Sequence, residues 1–563
     1  MPRICAIVSV AAACFSVAPA TASASTPPEF LNVTEATDTD DFSFGRGSAM
    51  VDLNYDGLLD IITGNALGPN LVFRQLPDHS FVLANNEWGF GIDDDLTWGT
   101  IVSDFDDDGD PDVLFVNGTA GGFSYTDPCR LYRNDLRTTG AFTDVTGLSG
   151  DLAIPSENFG GTSFDYDNDG DLDIFLTSKI DESPCRLLRN DGKLEFTDVG
   201  VEAGITHLST FRHCSTGDYN NDGWMDIGVG SLSDANRLYR NNGDGTFTDV
   251  AQTLGLSSQR YNFGLVLEDF NNDGWQDVYI PKWQVSPVGP SEIFLNNGDG
   301  TFADITSGSG LTGQTDMGHN TGDIDLDGYP DIFVGTGAPE FASPDLLLLM
   351  TPDQFGGVVA NDVSDASGIT GLGGTRCHGI VMGDYDRDGD IDIYLNNGGP
   401  PFYRDTKQGN TLLQNQADPT PWAAITLEGV LSNRDGVGAR CVAFTDTGRE
   451  IHRIHRSAHG FCNTNPAEVW FGIGSDTSIQ RIEIEWPSGL TQTIKSPAMM
   501  QITHVVEPAC KADTNSDGML SPTDFSAWIN AFNEKSRKCD QNGDYFCTST
   551  DFSAWIAGFN SGC

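Results

Sequence analysis

The stretch Asp165-Tyr166-Asp167-Asn168-Asp169-Gly170-Asp171-Leu172-Asp173 alternates carboxylates with other residues and places a glycine sixth. Side-chain oxygens at positions one, three, five and nine, with a backbone carbonyl at seven, suit a hard cation that takes several oxygens in a flexible shell. Calcium is that cation, and Gly170 permits the sharp bend. The same pattern supplies seven candidate ligand sets. They are Asp52, Asn54, Asp56 and Asp60; Asp104, Asp106, Asp108 and Asp112; Asp165, Asp167, Asp169 and Asp173; Asp218, Asn220, Asp222 and Asp226; Asp269, Asn271, Asp273 and Asp277; Asp323, Asp325, Asp327 and Asp331; and Asp384, Asp386, Asp388 and Asp392. Seven copies argue against a plain polar turn. They also argue that each ion pins a turn, so that calcium here is structural.

The loops recur at steps of 52, 61, 53, 51, 54 and 61 residues. A short glycine-containing segment leads into each loop, as in Phe159-Gly160-Gly161-Thr162. A β-rich run follows it, such as Ile174-Phe175-Leu176 or Val278-Tyr279-Ile280. A third strand and an Asn-Gly or Asp-Gly hairpin come next, as in Arg237–Val250. Four short antiparallel strands per repeat are the content of one propeller blade. The outer-strand signature Phe-x-Asp-Val is missing after the seventh loop, but Phe30-Leu31-Asn32-Val33 stands near the start of the chain. The N-terminus is therefore expected to supply the seventh blade's outer strand and close the ring. The repeats resemble the FG-GAP/VCBS family of calcium-loop propellers, which integrin α heads share. That resemblance implies about seven calcium ions on one face and ligand contacts on the other.

After Asp418-Pro419-Thr420-Pro421 the pattern changes. Alternating apolar residues over Trp422–Gly429, Val469–Gly474 and Ile482–Gly489 predict a small all-β module. With Ser432–Arg440 these segments resemble the ASPIC/UnbV domain. The last stretch is a duplication: Ser521–Ile529 recurs as Thr548–Ile556, each behind an EF-hand-like loop. The first loop offers Asp513, Asn515, Asp517, Ser521 and Asp524; the second offers Asp540, Asn542, Asp544, Thr548 and Asp551, with Tyr545 in the place of the turn glycine. The pair resembles a dockerin. The resemblance implies one or two further calcium ions and docking onto a cohesin-like partner through Pro522, Thr523, Ser549 and Thr550.

The fold class is thus mainly β: a seven-bladed propeller, a small all-β domain and a small α-helical EF-hand-like module. The expected divisions are an export signal at 1–24, the propeller at 25–418, the ASPIC/UnbV-like domain at 419–507 and the dockerin-like tail at 508–563. The signal rests on Arg3, an apolar run from Ile4 to Val17 and Ala22-Ser23-Ala24. It predicts a secreted or cell-surface protein with no membrane span. Asp and Glu outnumber Lys and Arg by 81 to 30, and the net charge of −51 excludes a nucleic-acid partner. The cysteines suit an oxidising compartment. Cys441 with Cys462 is the favoured pair, a Cys214–Cys377 bridge is conceivable, and Cys129 and Cys185 sit one blade apart, which argues against a bridge. Cys510, Cys539, Cys547 and Cys563 would staple the small tail.

Arg46, Trp98, Phe159, Arg212, His213, Phe263, His319 and His378 precede the loops and fall near the propeller axis on the other face. They form a candidate ligand set for a glycan or protein, with packing at the channel mouth the stronger reading. Trp224 and Trp275, seventh in their loops, are expected to pack between blades. His452, His455 and His459 with Arg449, Arg453 and Arg456 read as a solvated basic loop rather than a metal or anion site. No catalytic motif stands out: there is no HExxH, no Gly-x-Ser-x-Gly and no phosphate-binding loop. The expectation is a non-enzymatic recognition, adhesion or scaffold protein anchored through its tail. The competing reading is a carbohydrate-active lyase or hydrolase with its site on the propeller face.

Overall fold

A computed structural model describes residues 27–91, 96–118, 127–179, 183–192, 194–259, 261–283, 289–311, 315–337, 343–372, 374–398, 407–417, 420–460, 463–508, 514, 521–534 and 548–561. The expected export signal, Cys462 and the four tail cysteines lie outside these residues, as do Asp513, Asn515, Asp517, Asp540, Asn542 and Asp544.

Seven four-stranded antiparallel sheets follow one another along the chain, consistent with a propeller. Their first strands are Gly45–Val51, Thr97–Ser103, Asn158–Phe164, Phe211–Gly217, Val266–Glu268, Asp316–Gly322 and Cys377–Gly383. Each leads into one acidic loop, and the loop's ninth residue opens the second strand, as Asp173 opens Asp173–Ser178. All six residues of that second strand are buried. Continuous burial is what a strand sandwiched between neighbouring sheets requires. The core accordingly lies between blades: Leu114 and Leu131 of the second pack with Ile174, Phe175 and Leu187 of the third in one cluster.

The ring closes as the repeat pattern requires. Phe30–Asn32 pairs antiparallel with Thr411–Asn415, in the register Phe30↔Asn415, Leu31↔Gln414 and Asn32↔Leu413. The Thr34 hydroxyl also accepts the Leu412 N–H at 2.8 Å. An unpaired outer strand would expose a row of backbone donors and acceptors and free the seam between first and last blades. Deleting residues 27–36 is therefore expected to lower the thermal midpoint in a calorimetric scan; an unchanged midpoint would refute the closure.

Behind the propeller, Trp422–Glu428 runs antiparallel to Val469–Gly472 and parallel to Ile502–Val506. A second sheet orders Glu450–Ile454, Arg440–Thr445, Ile479–Glu485 and Thr491–Lys495. Ile425, Cys441, Ile451, Phe471, Ile482 and Trp486 fill the core between them. Cys441 is a buried free thiol, so the favoured pairing with Cys462 is corrected. Cys441 packs into the module's core, among Ile425, Ile451 and Ile482. Cys377 is likewise a buried free thiol, which removes the bridge to Cys214.

The tail contributes two helices, Pro522–Glu534 and Ser549–Ser561. Trp528 and Trp555 are buried between them, with Phe525 and Phe552 packed 5.6 Å apart. The duplication shows in the contacts, since Phe525–Trp555 and Trp528–Phe552 are both 5.3 Å pairs. Asp524 and Asp551 are buried and accept the N–H of Ser521 at 2.7 Å and of Thr548 at 2.6 Å, which caps both helices alike. No helix among the described residues is long and apolar enough to cross a membrane.

Candidate calcium centres and the face that covers them

The seven loops share one hydrogen-bond plan at position nine. The residue at position nine holds the loop to its own blade. Asp173 Oδ2 accepts the N–H of Tyr166 at 3.0 Å, and Asp173 Oδ1 accepts that of Asn190, in the third strand, at 2.8 Å. Asp60, Asp112, Asp226, Asp277, Asp331 and Asp392 do the same. The fourth residue is left-handed in every loop, Tyr55, Asp107, Asn168, Asn221, Asn272, Leu326 and Arg387, with φ between 54° and 60°. The sixth is always a glycine at φ between 84° and 103°. A side chain there would be strained, which is why glycine recurs.

Sequence reasoning missed a further function of the third strand. The side-chain amides of Asn134, Asn190, Asn241 and Asn296 donate to the carbonyls of Leu53, Phe105, Tyr166 and Tyr219, each the second residue of the preceding blade's loop. Gln75 makes the matching bond to Tyr385 and so links the first blade to the seventh. The Arg-Asn pair repeated as Arg133-Asn134, Arg189-Asn190 and Arg240-Asn241 was the available signal. Its partner carbonyl lies in another blade and has no sequence signature.

The donor set fits a hard divalent ion. Three carboxylates approach within 4.8 Å of one another at Asp104, Asp106 and Asp108, at Asp165, Asp167 and Asp173, at Asp323, Asp325 and Asp331, and at Asp384, Asp386 and Asp392. In loops one, four and five an asparagine holds position three. The third-position oxygens Asp106 Oδ1, Asp167 Oδ1, Asn220 Oδ1 and Asp386 Oδ1 are buried without a hydrogen-bond partner. Buried acceptors left unpaired are costly, and a coordinated cation would satisfy them. Burial pushes the Asp60 carboxyl up to about 8. Burial, with repulsion from neighbouring aspartates, raises Asp106 and Asp384 to about 7 and Asp165 well above the usual range. A bound divalent charge would reverse that logic.

The all-β module covers this face. Arg440 donates to Gly274 O at 3.0 Å, the backbone of His452 donates to Asn272 Oδ1 at 2.7 Å, and Asp435 accepts the Asp104 N–H at 3.1 Å. Arg453 reaches Asp323 at 3.0 Å, and Arg387 of the seventh loop reaches Glu468 at 2.8 Å. Residues 456–460 and 463–466 enter the mouth of the ring. Arg456 pairs with Glu268 and donates to Leu267 O at 2.5 Å. Thr464 exchanges backbone bonds with Ser48 and Met50 at 3.0 Å, and Asn465 meets Asn320 at 2.8 Å. Gly460 lies against the His319 carbonyl, where a methyl group would come within 1.7 Å of the oxygen. The reading of residues 449–459 as a solvated basic loop is thereby corrected. His455 and Arg456 are buried, and burial pulls the His455 imidazole down to about 4. The arginines are here because the ring presents acids and carbonyls to them.

At the far ends of the first strands the candidate ligand residues do meet. Trp98 stacks on Phe159 at 4.7 Å, Phe159 meets Phe263 at 6.4 Å, and His213 sits 4.6 Å from Phe263 and 5.0 Å from His319. The Arg46 guanidinium lies 4.8 Å over Trp98, Lys179 Nζ lies 3.8 Å from the same ring, and Arg212 covers Phe159 at 4.3 Å. Arg46 is 0 % and His213 1 % exposed, and burial holds the His213 and His378 imidazoles well below their usual value. Cations already occupy ring faces that a sugar would need. Trp224 and Trp275 each lie over the hairpin of their own blade, not between blades: a methyl on Gly243 or Gly298 would come within 2.8 Å of the indole nitrogen.

Comparison with known proteins agrees with this architecture. A model of the FG-GAP-like repeat matches residues 104–176, 165–229, 218–280 and 285–334, and an ASPIC and UnbV model matches 429–512. Over those residues the chain carries FG-GAP-like repeats and, after them, an ASPIC and UnbV segment. Mouse (Mus musculus) cartilage acidic protein 1 is 25 % identical over 520 residues, 85 % of this chain and 77 % of that protein. Mouse integrin alpha-7 is 26 % identical over 274 residues, 42 % of this chain and 23 % of that protein. Among solved structures, BBS1N in complex with ARL6DN aligns at a TM-score of 0.40 and 8 % identity, over 69 % of this chain and 97 % of that one. The aspartate clusters are those typical of FG-GAP calcium sites.

Proposed function

We propose that the protein is an exported, non-catalytic recognition or scaffold protein. Its FG-GAP propeller is rigidified by about seven calcium ions, and its tail docks onto a cohesin-type partner. The observation that carries this reading is the position of the ASPIC/UnbV domain. It is seated on the calcium-loop face, with residues 456–460 and 463–466 in the mouth of the ring. Recognition is thereby left to the opposite end of the ring, which is built around the packed and largely buried cluster of Arg46, Trp98, Phe159, Arg212, His213, Phe263, His319 and His378. Support for the tail comes from its duplicated helices and from buried Asp524 and Asp551 at the place of the last loop ligand. Thr523 and Thr550 are exposed beside them, as partner contacts should be.

The test uses the full chain with calcium present. Immobilised glycans and candidate extracellular proteins are scanned for binding, and the same mixtures are assayed for new reducing ends or unsaturated sugars. Binding without turnover supports the reading; turnover overturns it. Calcium-dependent capture by an immobilised cohesin, lost when Thr523 and Thr550 are replaced, tests the anchor separately.

A further inference from the structure

Loop six departs from the plan of the other six loops, and it departs where the ASPIC/UnbV domain touches it. In the other loops the first aspartate divides its oxygens: Oδ1 accepts the N–H of position five and Oδ2 that of the glycine. In loop six both oxygens of Asp323 accept from Gly328, at 3.2 and 3.1 Å, and the Asp327 N–H goes to Asp325 Oδ1 at 3.2 Å. Arg453 Nη2 lies 3.0 Å from Asp323 Oδ2 and 3.2 Å from the Gly328 carbonyl. Its Nη1 and Nε are held by the carbonyls of His452 and Trp470 at 2.8 and 3.2 Å, so the guanidinium is aimed rather than loose. Arg449 Nη1 adds a bond to the Asp327 carbonyl at 2.6 Å. Both partners of the Arg453–Asp323 pair are largely shielded, with side chains 12 % and 1 % exposed.

We propose that Arg453 is the resident cation of loop six. The guanidinium engages a carboxylate oxygen that an ion would need, and its charge repels a divalent ion. Loop six therefore holds calcium much more weakly than the other loops, and the seating of the ASPIC/UnbV domain sets that difference. The proposal rests on the reading of the loops as calcium sites.

The experiment counts tightly bound calcium on the full-length, metal-stripped protein by equilibrium dialysis and calorimetric titration, with circular dichroism as the check on folding. Asp165→Asn should lose one tight ion, which tests the calcium reading by itself. Asp323→Asn should lose none. Arg453→Gln should gain one, with the weakest class of sites tightening at least about tenfold. Loss of a tight ion in Asp323→Asn overturns the proposal, as does an unchanged count in a folded Arg453→Gln protein. If Arg453→Gln does not fold, the Asp323→Asn comparison still decides.

Discussion

Removal of calcium is expected to lower the melting temperature by more than about 10 °C. An ion that binds only the folded chain stabilises it by mass action, about 2.7 kcal/mol per site at a hundredfold excess over its dissociation constant. Four or more such sites in one closed ring add about 10 kcal/mol, comparable with the whole stability of a typical domain. The pH dependence fixes the mechanism. Without the ion, burial and like-charge neighbours hold Asp60 at about 8 and Asp106, Asp269 and Asp384 at about 7. These folded-state values lie above the unfolded ones. Their protonation therefore favours the fold fully below the unfolded value, and that contribution is lost as pH rises through the folded value. The chelated protein should thus melt higher at about pH 5 than at about pH 8. The calcium-loaded protein should show the opposite slope, because the ion needs carboxylates. Melting curves with calcium and with chelator should converge on acidification. Parallel curves, or a melt indifferent to chelator, would remove the structural role from these loops.

Local features of the chain carried most of this architecture. A nine-residue loop repeats at a nearly fixed step, and its ligands, its glycine and the strand after it all lie within reach of one another in sequence. The closing strand could be read for the same reason, since Phe30-Leu31-Asn32-Val33 matches the outer strand that the seventh blade lacks. The covering of the calcium face could not. Arg449, Arg453 and Arg456 look like a solvated basic edge because nothing local announces the propeller groups they meet, although Arg449 also pairs with Asp476 at 3.0 Å. Their partners Asp327, Asp323 and Glu268 lie more than a hundred residues upstream. Patterning shows which face of a strand is apolar; it does not show which distant polar surface that strand will meet. The axial cluster was half legible. The residue types could be listed from their offset to each loop, but not that cations would settle on the aromatic faces.

The buried Arg456–Glu268 pair supplies the strongest single test of how the two domains are joined. Arg456 is 8 % exposed and Glu268 6 %. Glu268 also accepts the Thr321 hydroxyl at 2.9 Å, and Arg456 also donates to the Leu267 carbonyl. Cutting Arg456 back to alanine leaves a carboxylate in a closed interface with its main counter-charge gone. Breaking one side of a buried pair typically costs about 3–5 kcal/mol. Removing both charges while keeping volume is far gentler, so Arg456→Met with Glu268→Gln should recover most of what Arg456→Met alone loses. The same variants report on the architecture. If residues 456–460 and 463–466 are a seated part of the propeller, Arg456→Ala should lower a single shared melting transition and open these residues to limited proteolysis. A domain merely tethered behind the ring would melt independently, and the propeller's own transition would not move. A double variant as damaged as Arg456→Met alone would show that the loss comes from the missing guanidinium hydrogen bonds, such as that to the Leu267 carbonyl, and not from the stranded charge.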